Sequence, residues 1–256
     1  MKKIILMLCA VAAFSSCSWF EFDNYDQPNA QVYGAFLDSK TNQPVPQECH
    51  FNTGFGSRVS GAPTDGYIAV TEKGWDYEQA EYWLIKYDGT YSQTKTFAGN
   101  FRMAAEQNNF YPVTKEDVTF QKGENTVDWT VTPYCRVIDP QFVLEGTKIK
   151  ATFKVELGDP SKANEVTKAM LCCYPDCYVG VYLNYCQNDP EASTTTVVAD
   201  GSTVNTLYID TQNVQNNSEF QYKNRVHYLR IAVLASGNGF NSRSHYNYSN
   251  TESLKF

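Results

Sequence analysis

The chain has 256 residues, 42% hydrophobic and 19% charged, which leaves room for a leader and one large or two ordinary domains. Its formal net charge of −7 falls to −9 when the two positive charges of Lys2 and Lys3 leave with the leader. That is the wrong sign for holding phosphate backbones, so nucleic acid is excluded as a partner.

Lys2 and Lys3 precede an apolar run from Ile4 to Phe14, and Ser15-Ser16-Cys17 closes it with small residues. This order is a secretory signal rather than a membrane span, because the run is far short of the ~20 residues needed to cross a bilayer. Phe14-Ser15-Ser16-Cys17 resembles a bacterial lipobox. The resemblance implies a signal peptide at 1–16, cleavage before Cys17 and lipidation of its thiol. Each buried CH₂ of an acyl chain contributes ~0.8 kcal/mol, so several chains make a lasting outer-membrane anchor. An ordinary signal cleaved near Ser16 is the alternative. Residues 17–28 read as a lipidated tether without clear periodicity, and Glu21, Asp23 and Asp26 resemble the acidic signal that sends Bacteroidetes lipoproteins to the cell exterior.

From Gln31 the pattern is strands and turns. Strands are expected at Gln31 to Leu37, Tyr67 to Thr71, Trp83 to Tyr87, Phe101 to Ala105 and Thr126 to Val131, with turns at Asp88-Gly89 and Lys122 to Asn125. In the last of these Val127, Trp129 and Val131 alternate with Thr126, Asp128 and Thr130, the mark of a half-buried strand. Pro133 has no N–H to donate and ends that ladder, so a domain boundary is expected near residue 135. Cleavage between Thr132 and Pro140 should then release two separately folded pieces.

Beyond the boundary, Ile149, Ala151, Phe153, Val155 and Leu157 alternate with Lys148, Lys150, Thr152, Lys154 and Glu156. Such alternation describes a strand with one core face and one wet face. Further strands are expected at Tyr178 to Tyr185, Thr195 to Ala199, Thr206 to Asp210 and Arg225 to Ala235. Regular short strands suggest a sandwich, and Tyr228 to Ala235 resembles the penultimate strand of fibronectin type III and related immunoglobulin-like domains, with Tyr246 to Leu254 as the last. The fold class is therefore all-β, two β-sandwich domains in tandem at 29–135 and 136–256.

Five motifs occur in order: Gly34 to Asp38 with Gln43-Pro44-Val45, Lys86 to Tyr91, Phe97 to Phe101, Asn109 to Pro112 and Val131 to Tyr134. On these the chain resembles the Domain of Unknown Function 3823 family of two-domain Bacteroidetes lipoproteins. The resemblance implies a first domain like transthyretin or the carboxypeptidase regulatory sandwich and an immunoglobulin-like second domain. It also implies partnership with SusC/SusD-like outer-membrane uptake systems for glycans. The chain departs from the commoner pattern at Phe97 to Asn100, where a proline is usual before the glycine, and in its cysteine-rich second domain.

The family supplies no catalytic motif. His50, His227 and His245 are not spaced like His-Glu-x-x-His, and no Gly-x-Ser-x-Gly elbow occurs. Glu78 with Glu81, or Glu116 with Asp117, could pair across a sugar as glycosidase carboxylates do at ~5 to 9 Å, but acidic loops commonly offer such pairs. No enzyme activity and no cofactor are expected. Cys49, Cys135, Cys172, Cys173, Cys177 and Cys186 allow 15 pairings, and a two-residue hairpin at Pro175-Asp176 would keep Cys173 and Cys177 from facing each other. The spacing does not match a zinc site, which leaves small apolar buried thiols with one disulfide at most.

Two aromatic clusters are the candidate ligand surfaces. Trp75, Tyr77, Tyr82 and Trp83 interleave with Asp76, Glu78, Gln79 and Glu81, rings and acids that suit the two faces of a sugar. Trp83 precedes Leu84-Ile85 and belongs rather to the core. Phe240, Arg243 and Tyr246 form a second cluster before the last strand, where immunoglobulin-like domains often bind. Tyr246 and Tyr248 are alternatively residues of that strand. The favoured reading is a non-catalytic surface lipoprotein that binds or presents polysaccharide or oligosaccharide. A structural lipoprotein docking on an envelope protein or host matrix is the alternative. Cys17→Ala should release the protein from membranes into the aqueous phase of a detergent partition; identical partition of mutant and wild type would refute lipidation.

Overall fold

The computed structural model describes residues 26–48, 66–162, 164–213, 224–237 and 245–255, with residues 216, 218, 220 and 221 between. Cys17, the tether to residue 25, Cys49, Phe240 and Arg243 lie outside the described residues. The first domain contains β1 (Ala30–Asp38), β2 (Tyr67–Glu72), β3 (Ala80–Leu84), β4 (Thr90–Thr96), β5 (Gly99–Ala105), β6 (Val113–Phe120), β7 (Gly123–Thr126) and β8 (Trp129–Val131). One sheet runs β4-β1-β7, with β8 also on β1; the other runs β3-β2-β5-β6. Between them, Phe36 stacks on Phe110 at 4.9 Å and Trp129 at 5.2 Å, and Trp83 stacks on Phe120 at 5.8 Å. Trp83 is thus a core residue, and the alternation that buries it sends Tyr82 outward.

The strand expected over Thr126 to Val131 is divided. Both pieces run parallel to β1, but between them the Asp128 carboxylate accepts the Ala35 amide at 2.9 Å in place of a ladder carbonyl. The run expected at Trp83 to Tyr87 sits earlier, as β3. Strands β4 and β6 have no apolar alternation to announce them: Thr90–Thr96 and Val113–Phe120 are mostly polar and owe their form to partners β1 and β5.

The second domain contains β9 (Cys135–Glu145), β10 (Lys148–Leu157), β11 (Asn164–Tyr174), β12 (Ser193–Thr194), β13 (Asn205–Asp210), β14 (Val226–Gly237), β15 (Tyr246–Tyr248) and β16 (Glu252–Lys255). A β13-β10-β9 sheet faces a β12-β11-β14-β15 sheet, and β16 also pairs with β14. This is the expected immunoglobulin-like sandwich, with β14 penultimate and the last strand split in two. The alternation of β10 buries Ile149, Ala151, Phe153 and Val155. The neighbouring β9 is an edge strand with Pro140 and a register shift opposite Thr152/Lys154, so its sequence does not read as a strand.

Two expected strands are not formed. Thr195 to Ala199 is irregular, and only Ser193–Thr194 joins the sheet. Tyr178 to Tyr185 is a run of bends and turns. There Gly180 N–H donates to the Leu183 carbonyl at 3.3 Å, and Asn184 Oδ1 accepts the amides of both Cys173 and Cys186 at 3.0 and 2.9 Å. The segment closes on itself and caps β11 instead of laddering. Nor does Pro175-Asp176 turn a hairpin, since the strands paired with β11 are β12 and β14.

Strands β11 and β14 are buried on both faces. Ala169, Leu171 and Cys173 point into the sandwich core with Leu229, Ile231 and Val233, while Met170 and Cys172 point the other way, against Val179, Ala232 and Tyr248. A strand covered on both sides has no polar face, which is why adjacent cysteines suit it.

What covers the outer face is in part the first domain. Arg230, 1% exposed and opposite Cys172, donates through Nε to the Ser249 carbonyl at 2.8 Å and through Nη1 to the carbonyls of Gln47 and Val179 at 2.8 and 3.4 Å. Nη2 reaches the Tyr87 carbonyl at 3.3 Å. The guanidinium lies 4.2 Å from the ring centroid of Tyr248, whose hydroxyl donates to Glu48 of the first domain. Asn247 Nδ2 donates to the Asn109 carbonyl at 2.8 Å, and Asn109 Nδ2 returns a bond to the Tyr246 carbonyl at 3.0 Å. The covalent junction is equally close: a Cβ on Gly158 would stand 1.5 Å from the Pro133 carbonyl oxygen. Tyr134 and Cys135 are buried, so the boundary is no exposed linker, and the expected clean cleavage there is corrected.

Arg230→Leu should therefore lower stability by about 3 kcal/mol or more, because it strands several buried carbonyls, with Arg230→Lys intermediate. Denaturant titration measures the loss. Wild type should melt in one transition by calorimetry; two separated transitions would show that the docking is weak.

Candidate functional site

Residues 73–79 join β2 to β3. The loop is fastened at its start, where the Lys73 amide donates to the Asn100 carbonyl at 2.8 Å and Lys73 Nζ pairs with Asp117 at 2.7 Å. Gly74 then takes φ +99°, a conformation that side chains resist, and turns the chain outward. Its amide is 3.4 Å from Glu78 Oε1, which closes the loop. Beyond this turn Trp75 is 62% exposed and Tyr77 82% exposed. Tyr82, on edge strand β3, is exposed on the sheet face that it shares with Leu84. The structure thus leaves all three predicted rings of this cluster open to solvent, with Asp76 and Glu78 in the same loop, whereas Glu81 lies on the Trp83 face of β3. Such a surface can pack against the C–H face of a sugar and accept its hydroxyls.

The second cluster has a different character. Tyr246 is half-buried in β15, with its phenol pushed up to about 12 by burial and by the neighbouring Cys172, Tyr182 and Glu48. Tyr248 is buried under Arg230, and burial next to Glu48 raises its phenol well above the ordinary value. Both rings pack into the domain junction. The alternative reading of these two as residues of the final strand holds.

A cleft of 520 Å³ opens along the junction, lined by residues that include Asp38, Lys40, Arg136, Glu156 and Asn250. Arg136 grips Asp38 bidentately, Nε to Oδ2 at 2.6 Å and Nη2 to Oδ1 at 2.7 Å, and reaches Glu156 at 3.4 Å and the Gly158 carbonyl at 3.3 Å. Lys40 pairs with Glu156 at 2.7 Å. Burial works to raise the Asp38 carboxyl, but Arg136, the Lys40 amide and the Thr41 hydroxyl outweigh it and hold the group below the usual carboxylate range. These donors and acceptors face one another, so the network fastens the domains rather than presenting charge. Sequence reasoning missed it because 98 residues separate Asp38 from Arg136.

The carboxylate pairs considered for catalysis are engaged on the surface. Glu116 pairs with Arg102 at 3.2 Å, Asp117 with Lys73, and Glu81 accepts the Trp83 indole N–H at 3.3 Å. Cys135, Cys172, Cys173, Cys177 and Cys186 are thiols, and burial pushes Cys135 up to about 12. Among the described residues no group of three or more His, Cys, Asp or Glu is placed to hold a metal ion.

Residues 30–132 match the family model described as the N-terminal domain of a protein of unknown function, DUF3823. A solved structure from Bacteroides uniformis, described as a candidate carbohydrate binding protein, is 25% identical over 90% of this chain and 100% of its own, with a TM-score of 0.75. DUF3823 family proteins from Parabacteroides merdae and Bacteroides ovatus share the fold at TM-scores of 0.66 and 0.64. They are 20% and 18% identical, over 90% and 89% of this chain and 100% and 99% of theirs. No curated protein matches in sequence.

The Asp38 geometry yields a pH dependence. A carboxyl held below its unfolded value stabilises the fold fully above that value, about pH 4, and the stabilisation is lost as pH falls through the folded value. Wild type should therefore lose melting temperature below about pH 4, and Asp38→Asn should start lower and lose less. Thermal melts between neutral and acid pH compare the two.

Proposed function

We propose that this chain, whose first domain is a DUF3823 N-terminal domain, is a non-catalytic glycan-binding lipoprotein of the cell surface. In this reading it binds or presents polysaccharide or oligosaccharide for a SusC/SusD-like uptake system. The observation that carries the proposal is the exposure of Trp75 and Tyr77 beyond the Gly74 turn, while Trp83 and Trp129 are buried. An exposed tryptophan and tyrosine on a loop fastened at its base present apolar ring area that a bound ligand would cover. The likeness to the Bacteroides uniformis structure described as a candidate carbohydrate binding protein supports the ligand class. The lipobox-like Phe14 to Cys17 and the acidic residues after it support anchoring at the outer membrane, facing the exterior.

Binding would use the rings for the apolar face of a pyranose and Asp76 and Glu78 for its hydroxyls. Trp75→Ala should weaken oligosaccharide binding by about 2- to 12-fold, the range that ~0.5 to 1.5 kcal/mol of stacking implies, and leave the melting temperature near wild type. Trp83→Ala is the stability control, with an expected cost of about 3 to 5 kcal/mol. A glycan array, then calorimetric titration of the hits, measures both. Unchanged binding in Trp75→Ala removes this loop from the proposal.

A further inference from the structure

A different group of rings is exposed where the domains meet. Tyr178 and Tyr182 are 50% and 46% exposed, although the loop that carries them packs Val179 into the interior. The Tyr178 ring meets Tyr87 of the first domain edge to face, with centroids 5.0 Å apart and planes at 73°. The pair therefore straddles the junction.

Its backbone is fixed from beneath on both sides. Arg230 holds the Tyr87 carbonyl through Nη2 and the Val179 carbonyl through Nη1, so one buried guanidinium sets the first domain's ring against the second's. Glu48 accepts the Val181 amide at 3.1 Å, and Asp176 Oδ1 accepts the Tyr178 amide at 3.1 Å. Rings that are held from below and open above are preorganised, which lowers the ordering cost of binding a ligand. Asp88 adjoins Tyr87, and Asp176 precedes Tyr178 by two residues. Burial first, then Cys177, Asp88 and Tyr178, pushes the Tyr87 phenol up. Phenol rings beside Asp88 and Asp176 suit a ligand with apolar C–H faces and many hydroxyls, and the two carboxylates repel an anionic one.

We infer that Tyr87 and Tyr178 form a second stacking surface, built across the domain junction, for a neutral oligosaccharide. It shares its ligand class with the reading above but none of its residues, so the two fail separately. Sequence order hides it, because 90 residues lie between Tyr87 and Tyr178.

The test uses the soluble chain from Ser18 labelled with 3-fluorotyrosine, with the Tyr87 and Tyr178 signals assigned from the Tyr87→Phe and Tyr178→Phe variants. The probes are cellohexaose, xylohexaose, mannohexaose and galactohexaose, with hexagalacturonate as the anionic control. The expected result is a saturable shift of both signals with at least one neutral probe, retained in Trp75→Ala and absent with hexagalacturonate. Affinity for that probe should fall at least fivefold in Tyr178→Ala, with a melting temperature near wild type; Tyr178→Phe, which keeps the ring, should retain most of the binding. Shifts lost in Trp75→Ala but kept in Tyr178→Ala would assign the sugar to the Gly74 loop and overturn the inference while sparing the earlier reading. No shift of either signal with any neutral probe overturns it as well.

Discussion

A single buried cation organises the meeting of the two sandwiches. Arg230 projects from the centre of the second domain's larger sheet and donates to carbonyls in both domains. A guanidinium can do this because its donors form a planar fork; a lysine ammonium, a point charge on a flexible stem, could not fix several carbonyls at once. The burial is tolerable because Tyr248 offers its ring face to the cation and Glu48 takes the hydroxyl of that ring, so charge of both signs lies along one short line. Everything nearby follows from that arrangement. Gln47 is pinned through its carbonyl, the loop carrying Val179 and Val181 is pinned to Glu48, and Tyr87 is held against Tyr178.

The same constraint explains the composition of β11 and β14. Each faces its own sandwich core on one side and the junction on the other, which makes them the middle layer of a stack rather than one wall of a two-layer domain. Small apolar side chains are needed opposite Arg230, and Cys172 stands there. Desolvation holds the buried thiols Cys135 and Cys173 in their protonated form, as suits packing residues. Along the junction's other flank Asp38 and Arg136 add an ion pair with excellent geometry, so the domain boundary in sequence is a fastening in space.

With the domains fastened, aromatic side chains divide into two populations. Phe36, Trp83, Phe110 and Trp129 fill the first core, and Tyr134 and Tyr248 fill the junction. Trp75, Tyr77, Tyr178 and Tyr182 stand outside. The backbone beneath both exposed groups is anchored, by Lys73 and the Gly74 turn in one case and by Arg230 in the other.

Where a strand had one wet face, its alternation was legible directly: β10 follows the pattern of Ile149 to Val155, and Trp83 and Tyr82 part to opposite faces as period two requires. The exposed Trp75 loop could also be found locally, since Gly74, rings and acids are neighbours in the chain. Local pattern misled where burial was two-sided or absent. β11 lacks alternation because both faces are covered, β4 and β6 are polar and owe their form to partners, and Tyr178 to Tyr185 alternates like a strand yet spends its amides on a turn, on the Asp176 and Glu48 carboxylates and on the Cys173 carbonyl. By itself, then, the sequence determined two all-β sandwiches and one outward aromatic loop, because each depends on residues close in the chain. Only the tertiary structure decided that the sandwiches are fastened through Arg230 and Asp38, and which tyrosines the fastening leaves exposed, because those contacts join residues about a hundred or more positions apart, and no local periodicity records them.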